Sequence, residues 1–197
     1  MKLKFAAIAA VLGFAAQAAI ATPVTYTDSR NITTSGQSFT IAFAPMQAAS
    51  GNGTFTFAAS GDYSDNFTTE TATINFDGLG SLSFNETGVL SNTVAGLTLT
   101  SFASQNVVDF YDESFTAQFS MTNALLQSLL AGGGATFQIQ NGNDVNAYFA
   151  GGMSGTDADF VRVSVAYDVP EPAGIALLGL GLVGIAATRR RKIVAAK

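Results

Sequence analysis

From Phe160 to Val169 apolar and polar residues alternate almost without interruption, with Val161, Val163, Val165 and Tyr167 on one face and Arg162 and Ser164 on the other. A period of two is that of a β-strand with one buried face. The pattern recurs along the chain. Residues 38–44 put Phe39, Ile41 and Phe43 on one side, and residues 54–57 do the same with Phe55 and Phe57. Runs at 71–76 and 81–84 flank Asp77-Gly78-Leu79-Gly80, whose Asp-Gly pair is a strong turn signal. Further alternation covers 96–102 and 114–120, and runs at 135–139 and 145–149 surround the turn Asn141-Gly142-Asn143-Asp144. One segment departs from it: residues 122–130 space Leu125, Leu126, Leu129 and Leu130 as a helix, ended by Gly132, Gly133 and Gly134. About ten short strands separated by turns, with one short helix, predict an all-β fold: a single jelly-roll-like β-sandwich.

The two ends are of a different character. Lys2 and Lys4 precede the apolar run 5–16, and small residues at Ala19 and Ala21 suit a signal peptidase cutting before Thr22; Ala16 and Ala18 offer an alternative. Residues 1–21 therefore read as a secretory signal peptide. At the other end, residues 173–188 carry no charge and would rise roughly 24 Å as a helix. That is slightly short of a hydrocarbon core of about 30 Å, a gap that bilayer thinning or snorkelling closes. Arg189, Arg190, Arg191 and Lys192 follow immediately and place that end in the cytoplasm. Before the span, Pro170-Glu171-Pro172 cannot continue a helix, since each proline fixes φ and lacks a donor. The predicted organisation is a signal peptide (1–21), a sandwich domain (22–168) and a C-terminal segment (169–197) made of a transmembrane helix (173–188) and a basic tail (189–197).

Proline-glutamate-proline, an apolar span and a basic cluster, in that order, resemble the PEP-CTERM sorting signal. The residues that carry the resemblance are Pro170, Glu171 and Pro172, then 173–188, then Arg189 to Lys192; the tail 193–197 is an addition. The resemblance implies processing by an exosortase in a Gram-negative bacterium, with the inner membrane as a transient anchor. It also implies a cell-surface or extracellular destination and an association with exopolysaccharide and biofilm. Much more loosely, the body is similar to lectin-like β-sandwich domains found upstream of this signal. That likeness rests on Gly61-Asp62, Glu70, Asp77-Gly78, the 124–126 segment, Gly134 and the closing strand.

Charge narrows the partners. Of nine basic residues only Arg30 and Arg162 lie in the body, against thirteen of the fourteen acids, so residues 22–168 carry a net charge of −11. Nucleic acid and anionic lipid need clustered cations and are poor partners for this body; no nucleic-acid partner is expected. The chain has neither cysteine nor histidine, which removes disulfides, His-based triads, Cys nucleophiles and the usual zinc and haem ligands. A carboxylate pair is the remaining catalytic option. Asp109, Asp112 and Glu113, beside Phe110 and Tyr111, form the densest acidic group, and read as a solvated turn rather than a catalytic pair. The expected function is non-enzymatic. No cofactor is required; calcium is the one candidate, with Asp62, Asp65, Asn66 and Glu70 as oxygen ligands and Asp157 with Asp159 as a weaker second set. Two readings remain open beside the enzymatic one. The first is a structural or adhesive matrix protein. The second is a calcium-assisted sugar-binding module using aromatics such as Tyr63 or Tyr111.

Overall fold

A computed structural model of the chain describes residues 21–63, 69–108, 112–145, 159–170 and 181. The chain divides into two compact units, Pro23–Val169 and the two ends Met1–Thr22 with Pro170–Lys197. The first unit is the sandwich. Its strands are β1 (Thr22–Asn31), β2 (Ser38–Phe43), β3 (Gly53–Gly61), β4 (Ala72–Asn75), β5 (Ser81–Asn85), β6 (Gly88–Asn92), β7 (Leu97–Val108), β8 (Asp112–Met121), β9 (Ala135–Asn141) and β10 (Phe160–Val169). A single described helix, α1 (Asn123–Leu130), links β8 to β9.

The strands form two five-stranded sheets, ordered β1-β10-β3-β8-β7 and β2-β9-β4-β5-β6. With the β6–β7 pair set aside, β1 lies beside β10, β2 beside β9, β3 beside β8 and β4 beside β5. This nesting, folded across two sheets, is the jelly roll. The β6–β7 pair adds one strand to the same side of each sheet. The Asp77–Gly78 turn is locally determined: both residues have positive φ (48° and 80°), as a type I′ hairpin requires, and the Leu79 amide donates to the Phe76 carbonyl.

Inward positions of both sheets meet in an aromatic core. Phe55 of β3 packs 5.4 Å from Phe137 of β9 and 4.8 Å from Phe76. Phe84 of β5 reaches Phe57 and Phe115 of the other sheet, and Tyr26 of β1 reaches Phe43 of β2. These contacts fix which strands face each other: β1 over β2, β3 over β9, β8 over β5. One end of the sandwich is sealed by apolar side chains, since α1 buries Leu125, Leu126 and Leu129 there. Its N-cap is Thr122, whose hydroxyl accepts from the Leu125 amide at 3.3 Å.

Two strands escape the sequence reading, β1 and β6. Both are end strands, so their side chains are half-buried or exposed and the apolar period is weak. β7 runs to Val108, beyond the predicted 96–102. The predicted strand 145–149 falls almost wholly outside the described residues, as does the predicted transmembrane helix apart from Gly181. Among the described residues no helix is long and apolar enough to cross a membrane.

Candidate functional site

The end of the sandwich opposite α1 is finished in polar groups. Inward positions of β10, β3 and β8 lie in transverse rows: Val161, Ala59 and Phe115 form one, and one step further out come Gly61 and Glu113, with the buried Asp159 immediately before β10. Facing them on the other sheet is the row Asn141, Ala72 and Phe84. Gly61 has φ of 148°, a conformation open to glycine alone, and lets the chain leave β3 directly into Asp62.

Tyr63 fills the space between these rows. It is fully buried, with its ring edge-on to Phe115 at 5.3 Å and its hydroxyl donating to Asn141 Oδ1 at 3.0 Å. Burial, and secondarily the charge of Asp159, push the Tyr63 phenol well above its ordinary value. It therefore stays protonated and remains a donor. The Tyr63 carbonyl accepts from the Glu86 amide, which ties the start of the β5–β6 turn to the same end.

Among the described residues four carboxylates are buried at this end: Asp62, Glu70, Glu113 and Asp159, each at most 8% exposed. Burying a carboxylate is costly unless it is hydrogen-bonded, neutralised or paired. The body offers two cations for four such groups. Arg30 pairs with Asp28 at 2.6 Å, and Arg162 lies 4.7 Å over the Phe160 ring.

Several predicted assignments change. Glu113 is not part of a solvated turn: it occupies an inward position of β8, because the parity of Phe115 and Phe119 continues back to it. Tyr63 is a core residue and cannot stack on a sugar, since its ring is enclosed by both sheets. Of the predicted calcium ligands, Asp62 and Glu70 are buried rather than surface loop carboxylates, and Asp65 and Asn66 lie outside the described residues. Among the described residues no group of three His, Cys, Asp or Glu side chains is placed to hold a metal ion. Tyr111 and Asp157 also lie outside them, as do Ala19, Glu171, Pro172 and the cluster Arg189 to Lys192. Ala21 and Pro170 are described, and both are exposed at the limits of the sandwich.

The sequence reading did not bring Glu113, Asn141 and Asp159 together. The signal was present: extending the inward parity of Phe115, Ile139 and Val161 by one step reaches each of them.

The family model of the PEP-CTERM protein-sorting motif matches residues 168–192. No curated protein and no solved structure is significantly similar to the chain. The matched segment takes in Pro170-Glu171-Pro172 and the basic cluster through Lys192, and leaves the sandwich unassigned. The chain carries a PEP-CTERM sorting motif at its C-terminal end, and this motif indicates an exported protein processed by an exosortase, with a surface or extracellular destination.

Proposed function

We propose that the sandwich is the working part of an exported protein with a structural or adhesive role at the cell surface, associated with exopolysaccharide and biofilm. The carrying observation is the continuity of fold and signal. The matched motif begins at residue 168 while β10 runs to Val169, so no second domain separates the sandwich from its sorting segment. At the other end β1 begins at Thr22, the residue that follows the expected signal-peptide cut. Removal of both ends by signal peptidase and exosortase leaves the folded unit whole. The segment 173–188 would hold it at the inner membrane until the second cut.

Glu171→Ala tests the sorting step, read by intact mass and cell fractionation in the host. The wild-type protein is expected to lose both ends and leave the inner membrane, while the variant keeps Arg189 to Lys197 and stays there. A wild-type protein that also keeps those residues and stays membrane-bound would reduce the segment to a tail anchor and remove the main support for a matrix role. With sorting intact, deletion of the chain is expected to lower matrix cohesion rather than alter glycan chemistry. The proposal includes no catalytic step; glycan hydrolysis lost on Asp112→Asn would overturn that part.

A calcium-assisted sugar-binding module is the second reading. Two observations favour it: the jelly-roll strand order, an architecture shared by lectin domains, and the gathering of buried carboxylates, Asp62 and Glu70 among them, at one end. Oxygen ligands from Asp62 and Glu70 suit a hard cation. Saturable glycan binding that a chelator abolishes and calcium restores would favour this reading; binding indifferent to chelator would remove calcium from it.

A further inference from the structure

Among the described residues β7 is the end strand of its sheet, twelve residues long and the longest strand. Natural sheets guard such edges with charge, proline, short length or bulges, because an end strand presents unpaired main-chain donors and acceptors. At the far side of the sandwich, β1 carries Pro23, Asp28 and Arg30. On the β6–β7 side there is no such guard. Residues 87–108, which include both strands, contain no charged residue and no proline, although the body around them carries −11. The one protective device is a pair of bulges, between Leu99 and Ser101 and between Asn106 and Val108, which leave Ser101 to Asn106 in regular register between them.

Among the described residues the strand is also uncovered. From Thr98 to Gln105 only Phe102 is even partly buried, stacked on Phe115 at 5.7 Å. Among the described residues three large apolar side chains are exposed, and two of them, Leu90 (53%) and Leu99 (43%), belong to β6 and β7. Exposed apolar side chains beside a free edge are what a pairing surface leaves uncovered when unpaired.

We propose that this edge pairs with a second copy of the same chain, β7 against β7 in antiparallel register, to give a symmetric dimer with a sheet continuous across the two molecules. A strand edge is complementary to another strand, and an antiparallel pair of identical strands satisfies two-fold symmetry. Charge selects the place. Two acidic bodies repel each other over most of their surface, whereas along this edge neither copy presents a like charge to the other. Centring the pair on the regular segment places Ala103 next to the symmetry axis. The inference is independent of the matrix role proposed above.

The test is the association state of the processed protein isolated from its host, measured by sedimentation across a range of concentrations and salt. Dimerisation is expected to strengthen as salt screens the repulsion between bodies. Ala103→Lys brings two cations together at the axis and is expected to weaken association by about tenfold or more. Thr25→Lys on the exposed part of β1 should leave association unchanged. In hydrogen exchange, β7 amides should gain protection with rising concentration while β1 amides do not. That readout needs no variant to fold. A monomer at every concentration would overturn the proposal. So would a dimer weakened by salt, a dimer indifferent to Ala103→Lys, or protection that appears on β1 instead. Protection of β7 only when another exported protein is added would show that the edge serves a different partner, and would also overturn it.

Discussion

Phe55→Ala is expected to remove about 4 kcal/mol of stability, close to the whole margin of a small domain. Phe55 has no exposed surface and sits on the inward face of β3, where the two sheets face each other. Its ring lies 4.8 Å from Phe76, 5.4 Å from Phe137 and 6.1 Å from Phe119, so it touches aromatic partners on both sheets. Truncation loses the transfer energy of the ring and leaves a cavity that stiff, mutually packed phenylalanines cannot collapse into. The chain has no disulfide to fall back on, because it has no cysteine. Leu90→Ala is the contrast: that side chain is about half exposed, and its loss should change stability by less than about 0.5 kcal/mol. Denaturant titration of the processed protein separates the two. A loss below about 1.5 kcal/mol for Phe55→Ala, with unchanged slope, would mean that the sheets are not held together through this cluster.

The fate of individual strands shows which parts of this fold were legible. β10 was readable in full because it is flanked on both sides in its sheet and packed on one face, so burial imposes a clean period of two on Val161, Val163, Val165 and Tyr167. The β4–β5 hairpin was readable because Asp77 and Gly78 specify their turn locally. β1 and β6 were not, because an end strand with little buried surface has little to write into its sequence. The strand order rests on distant pairings such as β1 with β10, which alternation does not encode. The C-terminal signal was legible for the opposite reason. Its meaning lies in a short linear order of residue types, and no fold is needed to display it. The buried acidic row fell between these cases. Glu113 and Asp159 carry inward parity, but a charged residue at the end of an apolar run suggests that the strand has stopped, when here the chain has only exchanged apolar for polar filling.

Gly142→Ala is expected to open that polar end. A methyl group at residue 142 would stand 1.6 Å from the Thr69 carbonyl oxygen, 2.7 Å from its carbon and 3.2 Å from the Thr71 nitrogen. All three atoms are main chain, so no rotamer change relieves the clash and the segments must separate. They are held in place now by the Gly142 amide, which donates to the Thr71 carbonyl at 2.7 Å. Separation would also disturb both neighbours of this contact: Asn141, which holds the Tyr63 hydroxyl, and Glu70, which lies between Thr69 and Thr71. The cost should be about 3 kcal/mol, or a fall in Tm of roughly 6–12 °C. Gly132→Ala is the matched control, because nothing lies within 4 Å of its added carbon. Its effect should be near neutral. Hydrogen exchange then locates the damage: amides at the end of β9 and the start of β4 should exchange faster, while α1 at the opposite end keeps its protection. A Gly142→Ala protein that melts within a degree of wild type would show that Thr69 does not stay packed on Gly142. The buried acids would then sit in a looser, wetter end than the structure describes, and the electrostatic argument for a bound cation there would lose its basis.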